Sequence, residues 1–93
     1  SQSEYTASLF RSNAGTVIVG SPSAGANGDG ANFTVPGGIS IGLTGMGAKN
    51  PDGTQMQRIG VIPDIRVAPT IAGIRAGHDE VLERAFRYIE TGN

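Results

Sequence analysis

Ser1, Ser3 and Glu4 open a segment with helical periodicity. A Ser three residues ahead of a Glu has capping-box spacing, in which hydroxyl and carboxylate satisfy the free N–H groups of a first turn. A Ser at a helix N-terminus can instead act as a nucleophile, because that end aims N–H groups and a positive dipole at a developing oxyanion. The residue types alone leave both roles open. His78 is the only histidine, and His is the usual general base of a serine hydrolase. It follows Gly77 at the start of a surface helix, where a solvated or capping imidazole is expected. Lys49, the only lysine, stands beside the Asn50–Gly53 turn, where a solvated tip is expected. The run Gly25-Ala26-Asn27-Gly28-Asp29-Gly30 could cradle an anion, but it has neither the glycine order of a dinucleotide fingerprint nor the Lys of a P-loop. Asn27 and Asp29 could ligate calcium, yet the other carboxylates of a calcium loop are missing. Asn32-Phe33-Thr34 is a glycosylation sequon, of consequence only in a secreted protein.

The elements that must position these groups come from a chain of 93 residues, enough for one small domain at most. With 15 Gly and 5 Pro against 38% hydrophobic and 5% aromatic residues, the composition favours loops and tight turns over a large core. Seven basic side chains against eight acidic ones exclude a basic nucleic-acid footprint and a polybasic membrane patch. The absence of cysteine excludes disulfides and thiolate metal sites, and a lone His cannot build a zinc centre. No apolar run approaches the roughly 20 residues of a membrane span.

Tyr5, Leu9 and Phe10 predict a short helix ended by Asn13-Ala14-Gly15. Thr16 to Gly20 is a β-branched run without polar alternation, which predicts a strand buried on both faces of a parallel sheet. Ser21 to Asn32 is nearly pure turn chemistry and predicts a functional or mobile loop. Ile39, Ile41 and Leu43 alternate with Ser40, Gly42 and Thr44 in a half-buried strand. Asn50-Pro51-Asp52-Gly53 is a strong turn signal, so Met46–Lys49 and Thr54–Ile59 read as hairpin arms. Gly60 to Val67, with Pro63 inside it, should run at a sheet edge. Pro69 to Gly77 reads as a connector. A final helix should start at His78 or Asp79 and reach Glu90, with Val81, Leu82, Ala85, Phe86 and Ile89 on one face and Glu80–Arg84 and Glu83–Arg87 ion pairs on the other.

The order of these segments is more specific than any one of them. Ser1 to Ala7, then Val17 to Gly20 running into Ser21-Pro22-Ser23-Ala24-Gly25, then Asn50 to Gly53, then Gly60-Val61-Ile62-Pro63-Asp64-Ile65, resemble the tail-specific or C-terminal-processing serine peptidases, the family of the tricorn core protease. The resemblance covers nearly the whole chain. It implies an α/β fold of the ClpP and crotonase type, of which residues 1–93 would be the C-terminal part of a single, incomplete catalytic domain: short helix, buried strand, glycine-rich loop, β-hairpin and C-terminal helix.

The resemblance also implies Ser1 as nucleophile and the Gln2 amide as one oxyanion-hole donor, with the second donor upstream. Members with a Ser-Lys dyad carry the Lys at the position of Ala26, so a dyad within that motif is excluded here. The tricorn-like branch takes a His from earlier in the sequence and orients it with Ser and Glu; Gln57 is the nearest match to that Glu, able to orient but not to carry charge. The implied activity is proteolysis through an acyl-enzyme, with a polypeptide substrate and no metal or organic cofactor. The chain by itself should be inactive, and should pair with the missing N-terminal half of its domain or with another copy. A non-catalytic peptide-binding relative, in which Ser1 only caps a helix, is the alternative. Relatives of this type are commonly exported in bacteria, which implies a periplasmic or envelope location.

Overall fold

The computed structural model describes residues 1–93 as three helices and two separate two-stranded sheets. In chain order these are α1 (Gln2–Arg11), β1 (Val19–Gly20), β2 (Gly30–Val35), β3 (Ile39–Thr44), β4 (Ile65–Arg66), α2 (Ile71–Ala76) and α3 (Glu80–Thr91). The parallel pairing of β1 with β4 makes the architecture α/β, with Val19 opposite Ile65 and Gly20 opposite Arg66.

Asp64 joins that pair to α1. Its backbone N–H donates to the Ile18 carbonyl at 2.8 Å, while its carboxylate accepts the Ile18 N–H at 2.8 Å. Arg11, in the last turn of α1, completes the join by donating to the Ile62 carbonyl at 2.5 Å and to the Asp64 carboxylate at 3.4 Å. Asp64 and Arg11 thus tie the end of α1 to the strands. The strand expected over Thr16–Gly20 is shorter and less covered than its composition predicts. Only Val19 and Gly20 pair, both are half-buried, and α3 packs on one side with Val81 nearest Gly20. A β-branched run is buried on both faces only where further strands and helices cover it, and here β4 is its one neighbour.

β2 and β3 form the hairpin proper, joined by Pro36-Gly37-Gly38. Both glycines adopt positive φ (96° and 77°), a conformation that glycine takes without strain. Ala31–Leu43, Phe33–Ile41 and Val35–Ile39 stand opposite one another, so their side chains share one face. That face is exposed rather than half-buried: Phe33, Ile39, Ile41 and Leu43 are each at least 40% exposed. The hairpin expected around Asn50–Gly53 keeps its turn but not its arms. Gly53 N–H donates to Asn50 O at 2.9 Å, and Asp52 accepts both the N–H and the hydroxyl of Thr54. Pairing then reduces to a single bridge between Lys49 and Gln55, because Ile59 and Gly60 both turn back onto the Met56 carbonyl.

The connector contains a helix. Thr70 accepts the Gly73 N–H at 2.9 Å, and Gly77, at φ 76°, ends α2. Asp79 caps α3 through the Leu82 N–H at 2.9 Å. The ion pairs expected along α3 do not form, because local backbone and hydroxyl partners compete for the same charges. The Glu80 carboxylate is held by the N–H and hydroxyl of Thr70, Glu83 meets His78 Nδ1 at 2.8 Å, and Arg84 donates to the Asn93 carbonyl at 2.9 Å.

Six residues are buried: Glu4, Gly25, Met56, Gly60, Val61 and Pro63. They lie where the α1 N-terminus, the glycine-rich loop and the Gly-Val-Ile-Pro string meet. Apolar side chains elsewhere are open, with Leu82, Phe86 and Ile89 of α3 at 51%, 55% and 77% exposure. The radius of gyration is 17.5 Å, against about 12 Å for a compact domain of this length. No helix is long and apolar enough to cross a membrane.

Candidate functional site

Glu4 is 5% exposed, an unusual place for a carboxylate in so open a chain. It does not turn back to cap its own helix. Ser1 occupies the N-cap position of α1 without a side-chain capping hydrogen bond. Glu4 Oε1 instead accepts the Ser23 hydroxyl at 2.5 Å and the Gly25 N–H at 2.6 Å. Ser23 Oγ in turn accepts the Val61 N–H at 2.8 Å, while Ser23 N–H donates to Val61 O at 3.2 Å. The expected capping box is thus a strut that binds α1 to the loop and to the Gly60-Val61 string. The Ser23 hydrogen bond, with help from Gly25, lowers the Glu4 pKa against the opposing effect of burial. Glu4 Oε2 is buried without a hydrogen-bond partner, 4.0 Å from the Ser1 nitrogen.

Two close backbone approaches lock this junction. Gly25, at φ 72°, lies against Ile59 and Arg58, so an added Cβ would stand 2.7 Å from Ile59 N and 2.8 Å from Arg58 C. Gly60, at φ 80°, lies on Ser23, with the Ser23 hydroxyl 2.7 Å from where a Cβ would be.

Above the strut, Ser1, Gln2 and Tyr5 from the first turns of α1 form one wall of a cleft of about 320 Å³. Asn27, Gly28 and Asp29 from the loop and Met46-Gly47-Ala48 complete it. A second cleft of about 310 Å³ is lined by Gly25, Ala26, Asn27, Thr44, Gln55, Gln57 and Arg58. Asn27 is common to both and is anchored from below by its amide on the Met56 sulfur at 3.2 Å. Gln57 belongs to the second cleft, but its side-chain amide donates to the Met46 carbonyl, in the wall of the first, at 2.8 Å.

The candidates Ser1 and Gln2 therefore share a cleft, and Gln57 stands in the adjoining one together with Ala26. His78 lies elsewhere, in a shallow groove with Pro69, Ile74 and Val81, paired with Glu83 and exposed. Lys49 lines neither cleft. Asn27 and Asp29, weighed in the sequence only as calcium or anion ligands, line the clefts instead, and Tyr5 and Arg58 join them without a motif to mark them. Tyr5 is one turn beyond Ser1 on α1, which was available as a signal; the position of Arg58 depends on long-range packing against Gly25 and was not.

The family model described as peptidase family S41 matches residues 1–67. That stretch contains α1, both clefts, the strut and the Pro-Asp join. Comparison with curated proteins and with solved structures gave no match.

Proposed function

Because the chain belongs to peptidase family S41, we propose that it supplies the nucleophile-bearing half of a serine peptidase active site, with polypeptide as substrate. The observation that carries the reading is the position of Ser1 at the head of α1, on an open cleft above a locked carboxylate strut. Ser1 Oγ attacks the scissile carbonyl carbon and its proton passes to a base. The Gln2 N–H, among the free donors of the first helical turn, stabilises the oxyanion. Expulsion of the amine leaves an acyl-enzyme on Ser1, which water hydrolyses.

The cleft that holds Ser1 is lined by no His or Lys, and Asp29 is its one carboxylate; the base is taken from another segment, as the family resemblance implies. The exposed surface area supports a covering partner. The chain exposes 6778 Å², whereas a compact monomer of 9.5 kDa exposes about 5,000 Å². The excess exceeds the roughly 800 Å² per partner of a standard interface. Residues 1–93 are thus read as the C-terminal part of one catalytic domain of the ClpP and crotonase type, completed by its N-terminal half. A non-catalytic peptide-binding role is favoured by one observation: Ala26 and Gln57, both lining the second cleft, offer no group that takes a proton at neutral pH.

Replacing Ser1 by Ala in the full-length protein tests the reading. Loss of peptide hydrolysis with folding unchanged supports it, because the Ser1 hydroxyl makes no capping hydrogen bond that the substitution could remove. Retained hydrolysis removes Ser1 from the mechanism.

A further inference from the structure

Arg58 is the only non-glycine residue with positive φ, at 67°. A long side chain in this conformation is an outlier, and such strain collects at ligand-binding positions. The backbone of Arg58 is held there by Gly25: its N–H donates to the Gly25 carbonyl at 2.7 Å, and the two backbones touch. A glycine would make the same turn without strain. What arginine adds is a guanidinium, and it makes no ion pair and no hydrogen bond within the chain.

The second cleft, which Arg58 lines, contains Asn27, Thr44, Gln55 and Gln57 but no carboxylate. The amides of Asn27, Gln55 and Gln57 each spend one N–H within the chain, on Met56 Sδ, the Gln57 carbonyl and the Met46 carbonyl. The uncommitted donors are thus their second N–H groups, the Thr44 hydroxyl and the Arg58 guanidinium, whose planar fork is suited to grip a carboxylate with two parallel hydrogen bonds. The cleft adjoins the Ser1 cleft through Asn27, whose amide is fixed on Met56. We propose that Arg58 is a substrate-binding residue that holds a carboxylate of the polypeptide, either its C-terminal carboxylate or an Asp or Glu side chain, beside the cleft that holds Ser1. This deepens the peptidase reading and rests on the two clefts being one peptide-binding surface.

The test is binding rather than turnover, so it does not depend on Ser1 being the nucleophile. Full-length protein carrying Ser1→Ala is titrated with three fluorescent peptides of one sequence: free C-terminal acid, C-terminal amide, and amide with an internal Glu. The acid, the Glu peptide or both should bind at least tenfold more tightly than the plain amide, and which of them does so identifies the source of the carboxylate. Arg58→Gly should abolish that preference while melting at the same or a higher temperature, because it keeps the turn and removes the strain. Arg58→Lys should retain only part of the preference. Equal binding of all three peptides, no saturable binding, or a preference that persists in Arg58→Gly overturns the proposal. Absence of the preference in the Ser1→Ala protein, with the wild-type protein hydrolysing peptide, would reject this role of Arg58 and leave the peptidase reading standing.

Discussion

Glu4 Oε1 and the Ser23 hydroxyl lie 2.5 Å apart, and that contact joins the first turn of α1 to the loop that walls both clefts. One carboxylate oxygen takes two donors, and the Ser23 oxygen passes the connection on to Val61. Removing the carboxylate leaves the buried Gly25 N–H and the Ser23 hydroxyl without their acceptor, at about 1–3 kcal/mol for each unsatisfied group. Glu4→Ala should therefore destabilise by about 3 kcal/mol, and Glu4→Gln by less because its amide oxygen can still accept. Urea midpoints of the full-length variants check this; equal midpoints for wild type and Glu4→Ala would remove the strut from the account.

The same contact gives stability a pH dependence. The Ser23 hydrogen bond lowers the Glu4 pKa in the folded chain below its ordinary value of 4.5. A lowered folded pKa contributes stability that is fully present above the unfolded pKa and is lost as pH falls through the folded one. Thermal melts should show an acid-side loss below about pH 4.5 that is smaller in Glu4→Gln. An identical acid profile in the variant would contradict it.

His78 behaves in the opposite sense. The hydrogen bond and charge of Glu83 raise its pKa above 6.5. A raised folded pKa contributes stability below the unfolded value that disappears as pH rises through the folded one. The pair is exposed, so its readout is titration rather than melting. NMR of the His78 ring should give a midpoint above 6.5 that falls toward the ordinary value in Glu83→Gln, with the Glu80 charge still acting to raise it; no change on that substitution would remove Glu83 as the cause.

Gly60 and Gly53 separate close approach from backbone conformation. Both have positive φ (80° and 85°), but a Cβ at Gly60 would strike the Ser23 carbonyl and hydroxyl, whereas one at Gly53 meets nothing within 4 Å. Gly53→Ala should cost only the left-handed penalty, about 1–2 kcal/mol. Gly60→Ala should cost that and a further 1–3 kcal/mol, roughly, for displacing Ser23. Equal losses would show that the Ser23 contact yields freely.

Much of this arrangement is legible in the residues, for local reasons. The cap at Asp79, the Asn50–Gly53 turn and the helical stripe of α3 depend on neighbours a few positions away. Other features depend on partners far along the chain. Glu4 has capping spacing, but Ser23 and Gly25 offer its carboxylate a buried site, and that tertiary contact overrides the local one. The short β1 and the open hairpin have apolar patterns that predict burial, yet no further layer covers them. α2 was hidden because Gly73 and the nearby Pro69 weaken its helical pattern, while Thr70 and Gly77 supply caps strong enough to hold six residues. Of the site, Ser1 and Gln2 follow from the motif; the junction of the two clefts at Asn27 requires the fold.

The most direct measurement is labelling of the full-length protein with a fluorophosphonate probe, followed by peptide mapping of the adduct, with the 93-residue chain alone in parallel. The account predicts one adduct, on Ser1, in the full-length protein and none in the chain alone. A folded full-length protein that takes no label, or takes it at another residue, would contradict the assignment of Ser1 as the nucleophile.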